Sequence, residues 1–131
     1  MNIPDGHLHG GIVGFNKKCW NFFETENNSI EFNLCSPEGD EGYPGSLNVS
    51  VKYSLEDVSV NDSEIKSFLK ILFVAKSSLP TIVNLTNHTY FNLGGNTSGS
   101  INDHLFQFPG AFYTPLDSNM LPTGQMLKNC F

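Results

Sequence analysis

The sequence contains no arginine, and all seven of its basic residues are lysines. Arginine is the usual forked donor for anionic or multiply hydroxylated ligands, so the chain lacks the side chain that most often binds either class. The formal net charge is −6 at pH 7, whereas a protein that binds nucleic acid needs a positively charged surface. We therefore expect no nucleic acid among the partners of this chain.

Cysteine is scarce, and long apolar runs are absent. The three cysteines, Cys19, Cys35 and Cys130, form no CxxC pair, which argues against a zinc ribbon or a redox pair and favours reduced thiols. The longest apolar stretch covers only residues 71–75, too short to span a bilayer. The first residues lack a basic region followed by an apolar one, as a signal peptide would have. We therefore predict a cytoplasmic protein with no membrane partner.

Apolar residues recur at every second position in several segments, which is the period of a half-buried strand. The clearest case is residues 46–55, where Leu47, Val49 and Val51 alternate with polar side chains. Residues 68–75 are mostly apolar on both faces, which predicts a strand in the interior of a sheet. The other predicted strands cover residues 30–35, 82–91 and 105–108.

Turn-forming clusters separate these strands, at residues 37–42 and 94–99, and no segment has a sustained helical period. With 39% hydrophobic residues in 131, the chain has enough apolar material for a core. We therefore predict an all-β antiparallel β-sandwich in a single domain over residues 1–131. The chain opens at a loop that leads into a glycine-rich turn and ends without a capping signal, so we expect this domain to be partial, with unpaired strand edges.

The first segment suited to chemistry is a histidine followed by two glycines. Gly10 and Gly11 allow the backbone to approach a ligand closely, so we expect His9 at the rim of a cleft. His7 and His9 could also ligate a metal from one strand face. No acidic or cysteine residue at a fitting spacing completes such a site, and we predict neither a metal nor another cofactor.

The second segment, residues 84–93, places polar side chains of several kinds at alternate positions. A strand face of this kind offers donors and acceptors without a fixed charge, which suits a neutral polyol such as a sugar. A histidine on a strand is, however, more often a hydrogen-bonded structural residue. The residues alone therefore indicate a β-domain with a polar, histidine-containing face. In an extended strand that face holds Asn84, Thr86, His88 and Tyr90.

Five motifs follow one another over nearly the whole chain. They are HGGxxGF with a later tryptophan at residues 9–20, SPEGDEGYPG at 36–45, TIVNLTNHTYFNL at 81–93, INDH at 101–104, and YTPLD with LPTG at 113–124. These motifs resemble those of the aldose 1-epimerase family, and their common order makes the resemblance strong.

The resemblance implies an antiparallel β-sandwich with an open cleft for a small-molecule sugar. It also implies an isomerase that interconverts the α and β anomers of an aldohexose such as galactose or glucose. Within the matching motifs, His88 corresponds to the acid that protonates the ring oxygen O5, and His9 to a catalytic group that assists and orients the sugar. Thr89 and Tyr90 lie in the substrate-contacting stretch, and Asn84 on the predicted polar face joins them as a substrate-binding residue.

The sequence departs from the family pattern in the remaining groups. The family's general base is a glutamate, and it lies beyond the C-terminal end of this chain. A substrate-binding aspartate of the family also lies there. A substrate-binding arginine lies upstream of the HGG motif. We therefore expect an internal fragment lacking the N-terminal part and the C-terminal half, and we assign the base to no glutamate present. The alternatives are a non-catalytic carbohydrate-binding β-domain and a β-domain that pairs with another chain through its open edges.

Overall fold

A computed structural model describes residues 1–25, 28–61 and 63–128 of the chain. Regular structure in these residues is almost entirely strand, with two three-residue 3-10 helices at Phe15–Lys17 and Asp40–Gly42. Neither of these helices has the length or the apolar character needed to cross a membrane. The strands are β1 (Asn21–Thr25), β2 (Ser29–Ser36), β3 (Leu47–Asn61), β4 (Glu64–Ser77), β5 (Phe112–Tyr113) and β6 (Leu127–Lys128).

The chain divides into two compact units. One unit, His7–Leu85, contains an antiparallel sheet with the strand order β1-β2-β3-β4. The other unit, Met1–Gly6 with Thr86–Phe131, contains the antiparallel pair β5-β6. The prediction of an all-β antiparallel fold is confirmed, and a single partial domain over residues 1–131 stays a prediction.

The apolar face of β3 forms the core, as its alternation predicts. Leu47, Val49 and Val51 are buried, with only 2% of Val49 exposed, while the intervening Asn48 is exposed. The alternation over residues 30–35 likewise places a strand, β2, whose Leu34 is buried. Antiparallel pairing aligns apolar residues of neighbouring strands on this face. The partly buried side chains that pack on it are Phe15, Trp20, Tyr53, Ile71, Phe73 and Leu85.

The prediction that residues 68–75 form an interior strand is wrong. They lie in β4, at the edge of the sheet, where β3 covers one side and no described strand covers the other. The side chains of Leu69, Leu72 and Val74 are therefore about half exposed, at 52%, 50% and 53%. An apolar pattern on both faces shows what a strand can bury, but it does not supply the neighbour that buries it.

The strands predicted over residues 82–91 and 105–108 are also not found. Both segments lack regular secondary structure, because no described strand pairs with either of them and a strand requires a neighbouring ladder. The short strands β5 and β6, which carry no alternation long enough to recognise, form instead. The turns predicted at residues 37–42 and 94–99 are confirmed.

Cys19 and Cys35 are exposed and lie in no disulfide, and their reduced state stays a prediction. Cys130 lies outside the described residues.

The burial pattern of β3 predicts which substitutions destabilise the sheet. Val49→Ala removes two methyl groups from the core, so we expect it to lower the free energy of unfolding by about 2 kcal/mol in a urea titration. Val58→Ala on the same strand is the control, because this side chain is 48% exposed and should cost less than about 0.5 kcal/mol. Equal losses for the two variants would contradict this assignment of the core.

Candidate functional site

His9 lies in a tight turn with an unusual backbone conformation. The turn spans Leu8 to Gly11, whose N–H donates to the Leu8 carbonyl at 3.3 Å. Both central residues have a positive φ, +56° at His9 and +81° at Gly10, as in type I′ turns. The left-handed conformation costs a residue with a Cβ atom about 1–2 kcal/mol. The exposed His9 is therefore held in a conformation that its own backbone disfavours.

Two glycines make the rest of this loop possible. A Cβ atom on Gly14 would overlap the carbonyl oxygen of His9 and lie 3.1 Å from its carbonyl carbon. At Gly11, φ is +119° and a Cβ atom would lie 2.8 Å from the carboxyl carbon of Glu41. The loop over residues 9–14, which we call the His9 loop, thus folds back on itself and against a carboxylate from elsewhere in the chain.

That carboxylate comes from a second tight turn, residues 36–45, which we call the acidic turn. Its backbone is closed by hydrogen bonds from the N–H of Gly39 to the Tyr43 carbonyl at 2.9 Å and from the N–H of Tyr43 to the Asp40 carbonyl at 3.0 Å. Within it, Glu41 also has a positive φ, of +51°.

Glu41 bridges the two turns through both of its carboxylate oxygens. The N–H of Ile12 donates to Oε2 at 2.8 Å, and the N–H of Val13 donates to Oε1 at 2.9 Å. These two bonds, from Val13 and Ile12, hold the pKa of the Glu41 carboxyl below its usual range, because they favour the ionised form. Glu41 is thus an anionic anchor for two consecutive backbone donors.

Further contacts tie the same two regions together. His7 Nδ1 and the Tyr43 hydroxyl lie 2.9 Å apart, with the two rings edge to face. Lys18 forms an ion pair with Asp40, whose carboxylate also accepts from the Ser36 hydroxyl. The bond from Lys18 and then that from Ser36 hold the pKa of Asp40 below its usual range. The His9 loop and the acidic turn therefore form one hydrogen-bonded assembly.

The end of the His9 loop is attached to the core of the sheet. Trp20 Nε1 donates to the Phe15 carbonyl at 2.9 Å, and the two rings meet edge to face with centroids 6.2 Å apart. Both side chains pack on the buried residues of β3. Lys17 Nζ donates to the Ile12 carbonyl at 2.6 Å. Packing on the sheet thus positions the loop as a whole.

The second candidate segment belongs to the other unit. The rings of His88 and Tyr90 lie side by side, with centroids 5.1 Å apart and planes tilted by 36°. Thr89 lies between them, and both its N–H, at 3.1 Å, and its hydroxyl donate to Asn87 Oδ1. All three predicted site residues are exposed, and Tyr90 has 87% of its surface accessible.

Side-chain amides shape the loop that follows this segment. Asn92 Oδ1 accepts from the N–H of Gly94 at 3.0 Å and from the Ser98 hydroxyl at 3.2 Å, and its Nδ2 donates to the Gly99 carbonyl at 3.3 Å. The N–H of Leu93 donates to Nε2 of His104 at 2.9 Å. These bonds close residues 92–104 without any strand ladder.

The structure brings together some of the predicted site residues. His88, Thr89 and Tyr90 lie together in the unit that contains residues 86–131, whereas His9 and Asn84, both exposed, belong to the unit His7–Leu85. Sequence reasoning missed Glu41, which organises the His9 loop. Its position between Gly39 and Gly42 was the available signal, because closely spaced glycines mark a turn that can project a side chain.

His7 and His9 gather no further ligands for a metal. Among residues 1–25, 28–61 and 63–128, no three side chains of His, Cys, Asp or Glu come together as they would around an ion.

Comparisons with known proteins agree with the motif order. The family model described as aldose 1-epimerase matches residues 2–129. The chain is 40% identical over 126 residues to a galactose mutarotase of Homo sapiens, covering 96% of this chain and 34% of that protein. It is 37% identical over 115 residues to an aldose 1-epimerase of Escherichia coli (strain K12), covering 88% of this chain and 31% of that protein. The chain thus spans about a third of the length of the curated relatives that it matches, and it belongs to the aldose 1-epimerase family.

Proposed function

We propose that this chain supplies the acid side of the cleft of an enzyme that interconverts the α and β anomers of an aldohexose, such as galactose or glucose. The observation that carries the proposal is the exposed pair of His88 and Tyr90, whose rings lie 5.1 Å apart. Family membership supports the reaction. The names of the relatives, galactose mutarotase and aldose 1-epimerase, support the substrate class.

Anomer exchange requires two proton transfers. The hydroxyl at C1 loses its proton to a base while the ring oxygen O5 gains one from an acid. The C1–O5 bond breaks as the C1 carbonyl forms, and after rotation about C1–C2 the ring closes on the other face. An imidazole suits the acid role because it exchanges protons near neutral pH. We assign that role to His88, whose exposed ring is accessible to a sugar.

The neighbours of His88 are suited to holding the sugar. The Tyr90 ring can cover the apolar side of a pyranose while its hydroxyl hydrogen-bonds with the sugar. The Thr89 hydroxyl donates its proton to Asn87, so its lone pairs are oriented to accept from a sugar hydroxyl. We assign Asn84, through its amide, to sugar binding as well, and His9 to orienting the sugar.

The general base comes, in this proposal, from a carboxylate outside these residues. Glu41 is the carboxylate that contacts the His9 loop, but both of its oxygens accept backbone hydrogen bonds. The lowered pKa of Glu41 makes it a weak proton acceptor. We therefore assign Glu41 no part in proton transfer.

Removal of the His88 imidazole tests the acid role. In a hybrid that joins this chain to the flanking segments of the human relative, we expect His88→Ala to slow the mutarotation of α-galactose by about 10²–10⁴-fold, because general acid catalysis is lost. Polarimetry measures the rate directly. We expect the chain of 131 residues assayed by itself to stay near the uncatalysed rate, because in this proposal the base lies outside these residues.

His104→Gln provides the matched control. The amide oxygen of glutamine can take over from Nε2 as the acceptor for the Leu93 N–H, so this variant removes an imidazole without opening the loop. Its rate should match that of the parent hybrid. A His88→Ala hybrid that is as fast as the parent would refute the acid role.

The exposure of Tyr90 also favours the second candidate, a carbohydrate-binding β-domain without catalysis. In that case galactose or glucose titrated into the chain at millimolar concentration should release measurable heat. We expect Tyr90→Ala to abolish this heat, because the ring that covers the sugar is lost, and Tyr113→Ala, at a 52% exposed tyrosine of the same unit, to preserve it. A parent chain that gives no heat removes this candidate.

A further inference from the structure

The His9 loop is built around the Glu41 carboxylate. The two donors, Ile12 and Val13, are consecutive, and each contacts a different oxygen of the carboxylate. The backbone of this pair is therefore fixed in both position and rotation, which one hydrogen bond to one oxygen cannot achieve. Gly11 has no side chain at the point where a Cβ atom would contact this carboxylate.

The loop needs such an anchor because its backbone is strained at His9. This residue has a φ of +56°, and its carbonyl oxygen lies where a side chain on Gly14 would be. A short glycine-rich loop has many other conformations available to it, in most of which the imidazole of His9 would lie elsewhere. Strain of this kind persists only where the surrounding contacts oppose its release.

We propose that Glu41 is the positioning residue of this site: its carboxylate binds the Ile12 and Val13 N–H groups and thereby holds the His9 imidazole in place for the sugar. The inference rests on the proposed function for the role of His9, but the anchor itself is a property of this chain alone. Glu41 acts through His9 and does not itself contact the reacting atoms.

The negative charge and the length of the Glu41 side chain both matter for this role. Glutamine would present one acceptor oxygen and one NH₂ group, which would face a second N–H donor and repel it. Aspartate is one methylene shorter and would not reach both donors from the same backbone position. Glu38 of the same turn is the matched control. Within the described residues it makes no hydrogen bond or ion pair, and Glu38→Gln changes the net charge by the same amount.

The first experiment is a pH titration of the chain of 131 residues followed by amide NMR. The shifts of the Ile12 and Val13 amides should follow one common midpoint, below the usual pKa of a glutamate, since the two bonds favour the ionised carboxyl. The anchor is therefore complete above the usual glutamate range and is lost as the pH falls through the lowered midpoint. Asp40 and His7 are charged or titratable groups that act on this carboxylate, and the Lys17 ammonium lies on the Ile12 carbonyl. Each of the three is followed by its own resonance.

Substitutions then show whether the Glu41 carboxylate causes this titration. Glu41→Gln should abolish the common midpoint at Ile12 and Val13 and shift the ring resonances of His9, whereas Glu38→Gln should change neither. Gly11→Ala should reproduce the effect of Glu41→Gln because its Cβ atom displaces the carboxylate. Gly10 also has a positive φ, but a Cβ atom at this position would contact only Gly14 Cα, at 4.0 Å. Gly10→Ala should therefore leave the carboxylate in place and retain the titration.

The second experiment tests the consequence for catalysis in the hybrid described above. Glu41→Gln should lower kcat by roughly 10- to 100-fold, the effect of misplacing a catalytic group by about 1 Å. In a His9→Ala background it should cause no further loss, because residues that act as one unit are not additive. A loss caused by general destabilisation would instead persist in that background and would lower the Tm of both proteins.

The outcomes separate the two proposals. If the titration of the Ile12 and Val13 amide shifts is unchanged in Glu41→Gln, the anchor is refuted, regardless of the activity of the hybrid. A common titration with an unchanged His9 resonance also overturns it, because the loop would then be held without fixing the imidazole. An inactive parent hybrid refutes the proposed function alone, and an active hybrid that is slowed by His9→Ala but not by Glu41→Gln refutes the positioning role alone.

Discussion

Consecutive backbone N–H groups of Ile12 and Val13 donate to the two oxygens of Glu41, a residue 28 to 29 positions further along the chain. Their effect is to make one hydrogen-bonded assembly from two loops that would each have many conformations separately. A carboxylate suits this position because it accepts from two parallel donors at once, and its charge strengthens both bonds. Gly11 leaves room for this carboxylate because it has no Cβ atom, and the left-handed His9 lies in the same loop.

The assembly also depends on the sheet below it. Val49 and Val51 offer an apolar surface on which Phe15 and Trp20 pack, and the Trp20 ring donates to the Phe15 carbonyl, directly after the His9 loop. A loop that is attached to a rigid element in this way holds its side chains more precisely than an unattached loop does. Burial in β3 thus supports the two aromatic rings, and these support the segment that follows the His9 loop. In our proposal, this support and the two bonds to Glu41 together place the His9 imidazole.

The segment that contains His88 is organised by different means. Side chains of Asn87 and Asn92 bind nearby backbone and hydroxyl groups, and His104 closes the loop by accepting from Leu93. Asparagine does this well because its short amide reaches the backbone two residues away and competes with strand ladders. Such local bonds hold a segment with exposed side chains and no regular secondary structure, where a strand pattern predicted a ladder.

The sequence by itself determined the features that depend on near neighbours. Alternation at period two identified β2 and β3 and the buried Val49, since side chains of an extended chain point to opposite faces in turn. Glycine and proline marked the turn at residues 37–42, and the order of five motifs identified the family. Only the tertiary structure decided which strands found partners: β4 lies at an edge and residues 82–91 lie in no ladder, because pairing depends on what lies alongside. It also decided that Glu41 anchors the His9 loop, since that contact joins residues far apart in the chain whose meeting is set by the packing of the sheet.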